Sequence, residues 1–144
     1  MIVQQILKSK ANTDVATVTP EMSVSEAAAM LSEKRIGTVV VSSDGSSPDG
    51  ILSERDIVRE IGKRGPGCLS EKVSEMMTKN PITCTGSDTA DHVLELMTNG
   101  RFRHLPVVND GAMIGLISIG DVVKARLSEL SMEKDALEGM IMGH

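Results

Sequence analysis

Two stretches of the chain hold side chains that could do chemistry at a regular spacing: Gly50-Ile51-Leu52-Ser53-Glu54-Arg55-Asp56-Ile57-Val58 and Gly115-Leu116-Ile117-Ser118-Ile119-Gly120-Asp121-Val122-Val123. Each places a serine three residues ahead of an aspartate, directly after an apolar run. Serine is a common helix N-cap and an aspartate in the first turn suits the helix dipole, so one reading of each pair is purely structural. The same placement could also seat a phosphate on unpaired backbone N–H groups and a hydroxyl, with the carboxylate accepting both hydroxyls of a ribose. One copy says little. Recurrence in both halves, each time after a glycine and a buried strand, suggests two nucleotide seats facing one another across a pseudo-twofold axis.

The cations are distributed unevenly. Arg101-Phe102-Arg103-His104-Leu105-Pro106 stands where the first half has Arg35-Ile36-Gly37-Thr38-Val39-Val40, so phosphate-binding capacity gathers on one side. Arg55 adds a cation beside Ser53. Simple solvation is the competing account of any surface arginine. Catalysis has less support: Ser53 and Ser118 have no histidine at a matching motif position, His104 has no recurrent orienting acid, and no Gly-rich Walker loop occurs. His92, His104 and His144 lack metal-ligand spacing, and Cys68 and Cys84 read as small buried hydrophobes rather than a disulfide framework.

The elements that must position these residues come from a tandem duplication. Thr17, Thr19, Arg35, Val41, Asp44 and Gly45 recur 66 positions later as Thr83, Thr85, Arg101, Val107, Asp110 and Gly111. After a loop one residue longer in the first half, Gly50, Ser53, Asp56 and Val58 meet Gly115, Ser118, Asp121 and Val123. Ser23-Val24-Ser25-Glu26 has the form of a capping box, and Val24, Ala27, Ala28 and Leu31 make one apolar helical face that Ala90, Val93, Leu94 and Met97 repeat. Apolar runs at Thr38 to Val41 and Leu105 to Val108 end in Asp-Gly turns, followed by a second strand and a second helix. Each unit therefore reads strand, helix, strand, strand, helix. A unit of about 50 residues is too small to bury a core alone, so the halves should pack together. Gly62 to Gly67 reads as the loop between them, and Val3, Ile6 and Leu7 resemble Val73, Met76 and Met77 as short amphipathic entries. Leu127, Leu130, Leu137 and Ile141 lie at 3-4 spacing, interrupted at Lys134, as a helix lying either on a partner or on its own domain.

Composition sets limits. With 144 residues, 15 basic and 20 acidic side chains leave a net charge of −5, and Phe102 is the only aromatic residue. A base-stacking platform cannot be built, and the acidic balance disfavours nucleic acid. No apolar run reaches the roughly 18 residues of a membrane span, and the N-terminus lacks a signal-peptide pattern, so no membrane partner and a cytoplasmic location are expected.

The paired units, each closed by Gly-hydrophobic-hydrophobic-Ser-x-x-Asp-hydrophobic, resemble tandem cystathionine-beta-synthase (CBS) domains, the Bateman module. The resemblance implies a mixed α/β fold: two βαββα repeats with pseudo-twofold symmetry packed through their sheets, plus a C-terminal helix. It places the first repeat with its N-terminal segment at 1–63, the second at 64–126 and a helical tail at 127–144. It implies clefts between repeats for adenosine compounds such as AMP, ADP, ATP, NAD(H) or S-adenosylmethionine. Ser53, Asp56, Ser118 and Asp121 would hold phosphate and ribose, and Arg103 phosphate. Ile36, Gly37, Val39, Thr83, His104 and Leu105 would enclose adenine. Gly37 stands where the second half has Arg103, and Gly120 where the first has Arg55, so unequal sites are expected, the better one relying on Asp121.

The function expected from these readings is a regulatory module that binds an adenine nucleotide without consuming it. It would sense energy or redox state and signal to a target protein by conformational change. A ligand-free dimerisation scaffold is the alternative, and an enzyme such as a nucleotide hydrolase the less favoured third. The helical faces of Ala27, Ala28, Val93 and Leu94, not fully covered in a monomer, together with the disc-like pairing the resemblance implies, suggest a homodimer.

Overall fold

Serine and threonine caps start the four longer helices, and left-handed arginines end two of them. The computed structural model describes residues 1–10 and 14–142, so His144 and the end of the expected tail lie outside the described residues. α1 spans Val3–Ser9, β1 Thr17–Val18, α2 Val24–Lys34, β2 Thr38–Val41, β3 Gly50–Ser53 and α3 Glu54–Arg64. A 3-10 turn at Pro66–Ser70 leads to α4 (Val73–Met76) and β4 (Thr78–Lys79), then α5 (Ala90–Gly100), β5 (His104–Asn109), β6 (Ala112–Ser118) and α6 (Ile119–Ile141). Ser23 Oγ caps α2 by accepting from the Glu26 N–H at 3.1 Å, and Thr89 Oγ1 caps α5 from His92 N–H at 3.1 Å. Both helices end on an arginine in the left-handed region, Arg35 at φ 55° and Arg101 at φ 59°. Each turn is closed by a bond reaching back five residues, Ile36 N–H to Leu31 O and Phe102 N–H to Met97 O.

The strands form a four-stranded sheet in the order β1-β2-β3-β4 and a two-stranded sheet β5-β6. β1 runs parallel to β2 through Val18 and Val41; the duplicate of that contact is a single parallel bridge between Cys84 and Val107. The duplication is thus visible bond by bond. It surfaces again where Thr38 Oγ1 and His104 Nδ1, equivalent residues 66 positions apart, lie 3.1 Å from one another. The pseudo-twofold axis passes between them.

Two cores lie behind the sheets, and each is completed by a segment that precedes the other repeat. Val3, Ile6 and Leu7 of α1 are buried with Val93, Met97, Leu105 and Ile117 of the second repeat. Cys68, Val73 and Met76 are buried with Val24, Leu31, Val39 and Leu52 of the first. The bonds that fasten them are also duplicated: Val3 N–H to Asp88 O and Val73 N–H to Met22 O, both 2.8 Å. Along the chain residues 1–10 precede the first repeat; in packing they serve the second. Burial of three such apolar side chains, at roughly 1.5–3 kcal/mol each, makes α1 a substantial part of that core.

Several readings of the sequence change. Gly62, Lys63 and Arg64 continue α3, because its cap residue comes only at Gly65, with φ 81°. The tail is no separate element: α6 runs unbroken from the second repeat to Ile141, with Lys134 at 3.8 Å from Glu138 on its own surface. Ala27 and Val93 are wholly buried, and Ala28 and Leu94 are partly buried against the same cores. Among the described residues, exposed apolar side chains include Val58 on α3 and Val123, Leu127, Leu130, Leu137 and Ile141 on α6. Cys68 and Cys84 are free and buried, and burial, with the charge of Asp88, pushes the Cys84 thiol up to about 12.

The glycines that open the closing motifs have a packing reason. A Cβ on Gly115 would meet Leu7 Cδ2 at 2.9 Å, and one on Gly50 would meet the Met77 side chain and, at 2.8 Å, the backbone oxygen of Thr78. Leu7 can rotate away, whereas the Thr78 backbone is held by β3-β4 pairing. Gly50→Ala should therefore lower stability in urea unfolding by about 1–3 kcal/mol, and Gly115→Ala by less. Equal, negligible losses would contradict this account of the motif glycines.

Candidate functional site

Where a strand runs straight into a helix, the first N–H groups of that helix need partners, and the Ser-x-x-Asp pairs supply them. Ser53 Oγ accepts from Asp56 N–H at 3.2 Å, while Asp56 Oδ2 accepts from Ser53 N–H at 2.9 Å and from Ser53 Oγ at 3.0 Å. Ser118 and Asp121 make the reciprocal backbone bonds at 2.9 and 3.1 Å. Both pairs are capping boxes. The capping reading and the binding reading are compatible, because the box holds each carboxylate rigidly at the lip of the strand-helix junction.

Beside the first box lies a cavity of about 470 Å³. It is lined from the first repeat by Gly37, Thr38, Ile51, Ser53, Glu54, Arg55, Asp56 and Arg59, from the connecting segment by Thr78, Pro81 and Ile82, and from the second repeat by Arg101, Phe102, Arg103, His104 and Leu105. Four arginines face two carboxylates there, in a chain whose net charge is −5. Asp56 is only 13% exposed, and its Oδ1 accepts from Arg59 Nη2 at 2.9 Å. Phe102, the sole aromatic, lies over Gly100, where any Cβ would run into its ring.

Of the residues singled out from the sequence, Gly37, Ser53, Arg55, Asp56, Arg103, His104 and Leu105 come together on this cavity. Five do not line it. Val39 points into the first core with no exposure, since alternation along β2 turns it away from the lip. Ile36 packs against that core and borders a shallower hollow with Arg35 and Glu54. Thr83 is exposed, and the wall is made just ahead of it by Pro81 and Ile82. Ser118 and Asp121 lie on the opposite side of the axis. Arg101 and Arg103 of the second repeat thus line the cavity beside Asp56 of the first, while the Arg103 carbonyl accepts from Ile119 N–H at the start of its own repeat's helix. Thr78, Pro81 and Ile82 carry no signal in the sequence: β4 is two residues long, and only its pairing with β3 brings the segment to the cavity.

The second carboxylate has a different environment. Lys10 Nζ lies 2.9 Å from Asp121 Oδ2 and donates to Leu116 O at 3.0 Å. Burial raises the Asp121 carboxyl, but the Ser118 N–H and the Lys10 ammonium outweigh it and hold it below the usual carboxylate range. His104, at the axis, is pushed below the usual imidazole value, first by burial and then by the Lys10 and Arg103 charges, against an upward pull from Asp121. A neutral ring there keeps one nitrogen for its contact with Thr38.

Comparison with known proteins gives consistent matches. The family model described as "CBS domain" matches residues 3–63 and 73–128. The chain is 34% identical over 148 residues, 98% of its length and 72% of the relative's, to the mitochondrial CBS domain-containing protein CBSX3 of Arabidopsis thaliana. A crystal structure of a CBS-domain containing protein from Agrobacterium tumefaciens superposes with a TM-score of 0.82 at 46% identity, covering 88% of this chain and 99% of that one. Arabidopsis CBSX2, whose structure was solved in complex with AMP, superposes with a TM-score of 0.71 at 29% identity, covering 88% and 96%.

The depressed His104 fixes a sign. The unfolded ring takes up a proton near its ordinary value, about 6.5, before the folded ring does. The stability contributed by neutral His104 is thus complete above that value and lost as pH falls toward the folded one. Urea midpoints at pH of about 8 and about 5.5 should differ more for the natural protein than for His104→Gln. The same pH response in both would sink the assignment.

Proposed function

The chain belongs to the CBS-domain family, and from that premise we propose that it is a regulatory module whose cleft at Asp56 binds an adenosine nucleotide of the AMP type. Asp56 takes the ribose hydroxyls, and Arg103, with Arg55 and Arg101, takes the phosphate. The observation that carries this reading is the concentration of four arginines around one boxed carboxylate in a cavity of about 470 Å³ shared by both repeats. Arginine forks suit phosphate oxygens, and the excess of positive charge favours an anionic nucleotide over a cationic ligand such as S-adenosylmethionine. AMP bound to the related CBSX2 supports the same ligand class. NAD(H) and ATP offer the same adenosine phosphate and belong to the same proposal.

The ligand is bound and not turned over. Ser53 spends its hydroxyl on the capping box, and His104 contacts Thr38 rather than a serine, so neither is arranged as nucleophile and base. Because the cavity wall comes from both repeats, a ligand that draws them together has a different affinity for each relative position of the halves, which is what a sensor of energy or redox state requires. The target protein would read that position. A homodimer belongs to the same proposal, supported by the equivalent residues Val58 and Val123, 68% and 41% exposed on the outer faces of α3 and α6. Cytoplasmic residence is likewise proposed, in keeping with two free buried thiols.

Asp56→Ala should weaken AMP binding in calorimetric titration by about 1.5–3 kcal/mol, roughly 10- to 150-fold. Arg103→Ala should weaken AMP more than adenosine, which lacks the phosphate. Unchanged AMP affinity with lowered stability in Asp56→Ala would leave the box as a cap only, and no heat with any adenine nucleotide would favour the ligand-free scaffold.

A further inference from the structure

The two boxed carboxylates are answered by different cations, and the difference divides the two clefts. Asp56 meets Arg59, one turn along its own helix; that guanidinium is 54% exposed and free to swing into water at little cost. Asp121 meets Lys10, which arrives from the end of α1, a segment that precedes the first repeat but packs on the second. Lys10 is 27% exposed, and its ammonium is held at two points, Asp121 Oδ2 at 2.9 Å and Leu116 O at 3.0 Å, both at the β6-α6 junction. In the first cleft the residue at the corresponding position, counted from Val73 as Lys10 is from Val3, is the uncharged Asn80. No ion pair of that kind can form there.

We infer that Lys10 is an internal occupant of the second cleft, filling the position at Asp121 where a ribose would bind, so that the chain takes one nucleotide and not two. This rests on the reading that the boxed aspartates receive ribose hydroxyls. A ribose entering at Asp121 must replace an ion pair by bonds from uncharged hydroxyls and take from the Lys10 ammonium and the Leu116 carbonyl the partners they now have. At Asp56 the same entry displaces only an exposed guanidinium. The sequence asymmetry at Gly37 and Arg103 adds to this, since the arginines already converge on the first cleft.

AMP titration of the full chain by calorimetry tests it. The natural protein should take up one AMP per chain and Asp56→Ala none. Lys10→Met, which keeps the apolar stem and removes the charge, should take up a second. The double variant Asp56→Ala with Lys10→Met should regain one equivalent, lost again on adding Asp121→Asn. Circular dichroism confirms folding, and Lys10→Gln substitutes with the same expectation if the methionine variant fails to fold. Two equivalents in the natural protein, or no gain in either folded Lys10 variant, would overturn the inference. So would a loss of AMP on replacing Lys10, which would make it a phosphate ligand. If the natural protein binds no AMP, the reading of the Asp56 cleft fails by itself; uptake by the double variant would still uphold the role of Lys10, and its silence would remove it.

Discussion

Everything at the cleft depends on a strand that runs without a break into a helix, leaving the first N–H groups of that helix to be satisfied by a serine and an aspartate three residues apart. The reciprocal bonds between Ser53 and Asp56, and between Ser118 and Asp121, fix the side-chain geometry with no help from a ligand. A carboxylate held this way has lost its rotamer freedom before anything binds, which lowers the ordering cost of binding. In the proposed reading the cap and the binding group are one device.

That device would be useless on an isolated repeat. Each half buries its sheet and helices only when Val3, Ile6 and Leu7, or Val73 and Met76, arrive from a segment that precedes the other half in the chain. The exchange ties the halves together and sets Thr38 against His104 at the axis. It also brings the connecting residues Thr78, Pro81 and Ile82 to the cavity beside Asp56 and Lys10 to Asp121. Duplication makes the frame symmetric; the residues carried in on the exchanged segments make the clefts differ.

Electrostatics follows the same division. A chain of net charge −5 gathers Arg55, Arg59, Arg101 and Arg103 around one cavity, so the local field there opposes the global one. On the other side Lys10 neutralises Asp121 within the protein itself. Charge balance is reached in one cleft by an exposed arginine that can yield, and in the other by a lysine anchored to the backbone.

Much of this could be read without coordinates. The offset of 66 residues, the apolar faces of α2 and α5, the Asp-Gly turns and both Ser-x-x-Asp pairs are patterns along the chain, and the strand, helix, strand, strand, helix order of each unit follows from them. Helix periodicity and capping act over a few residues, so the linear order preserves them. What brings Arg103 to the cavity beside Asp56, seats α1 on the far repeat, turns Val39 inward and sets Lys10 on Asp121 is decided by packing between distant segments. Those pairings leave no periodic trace, because a two-residue strand such as β4 or one lysine after a short helix has a partner only once both cores are assembled.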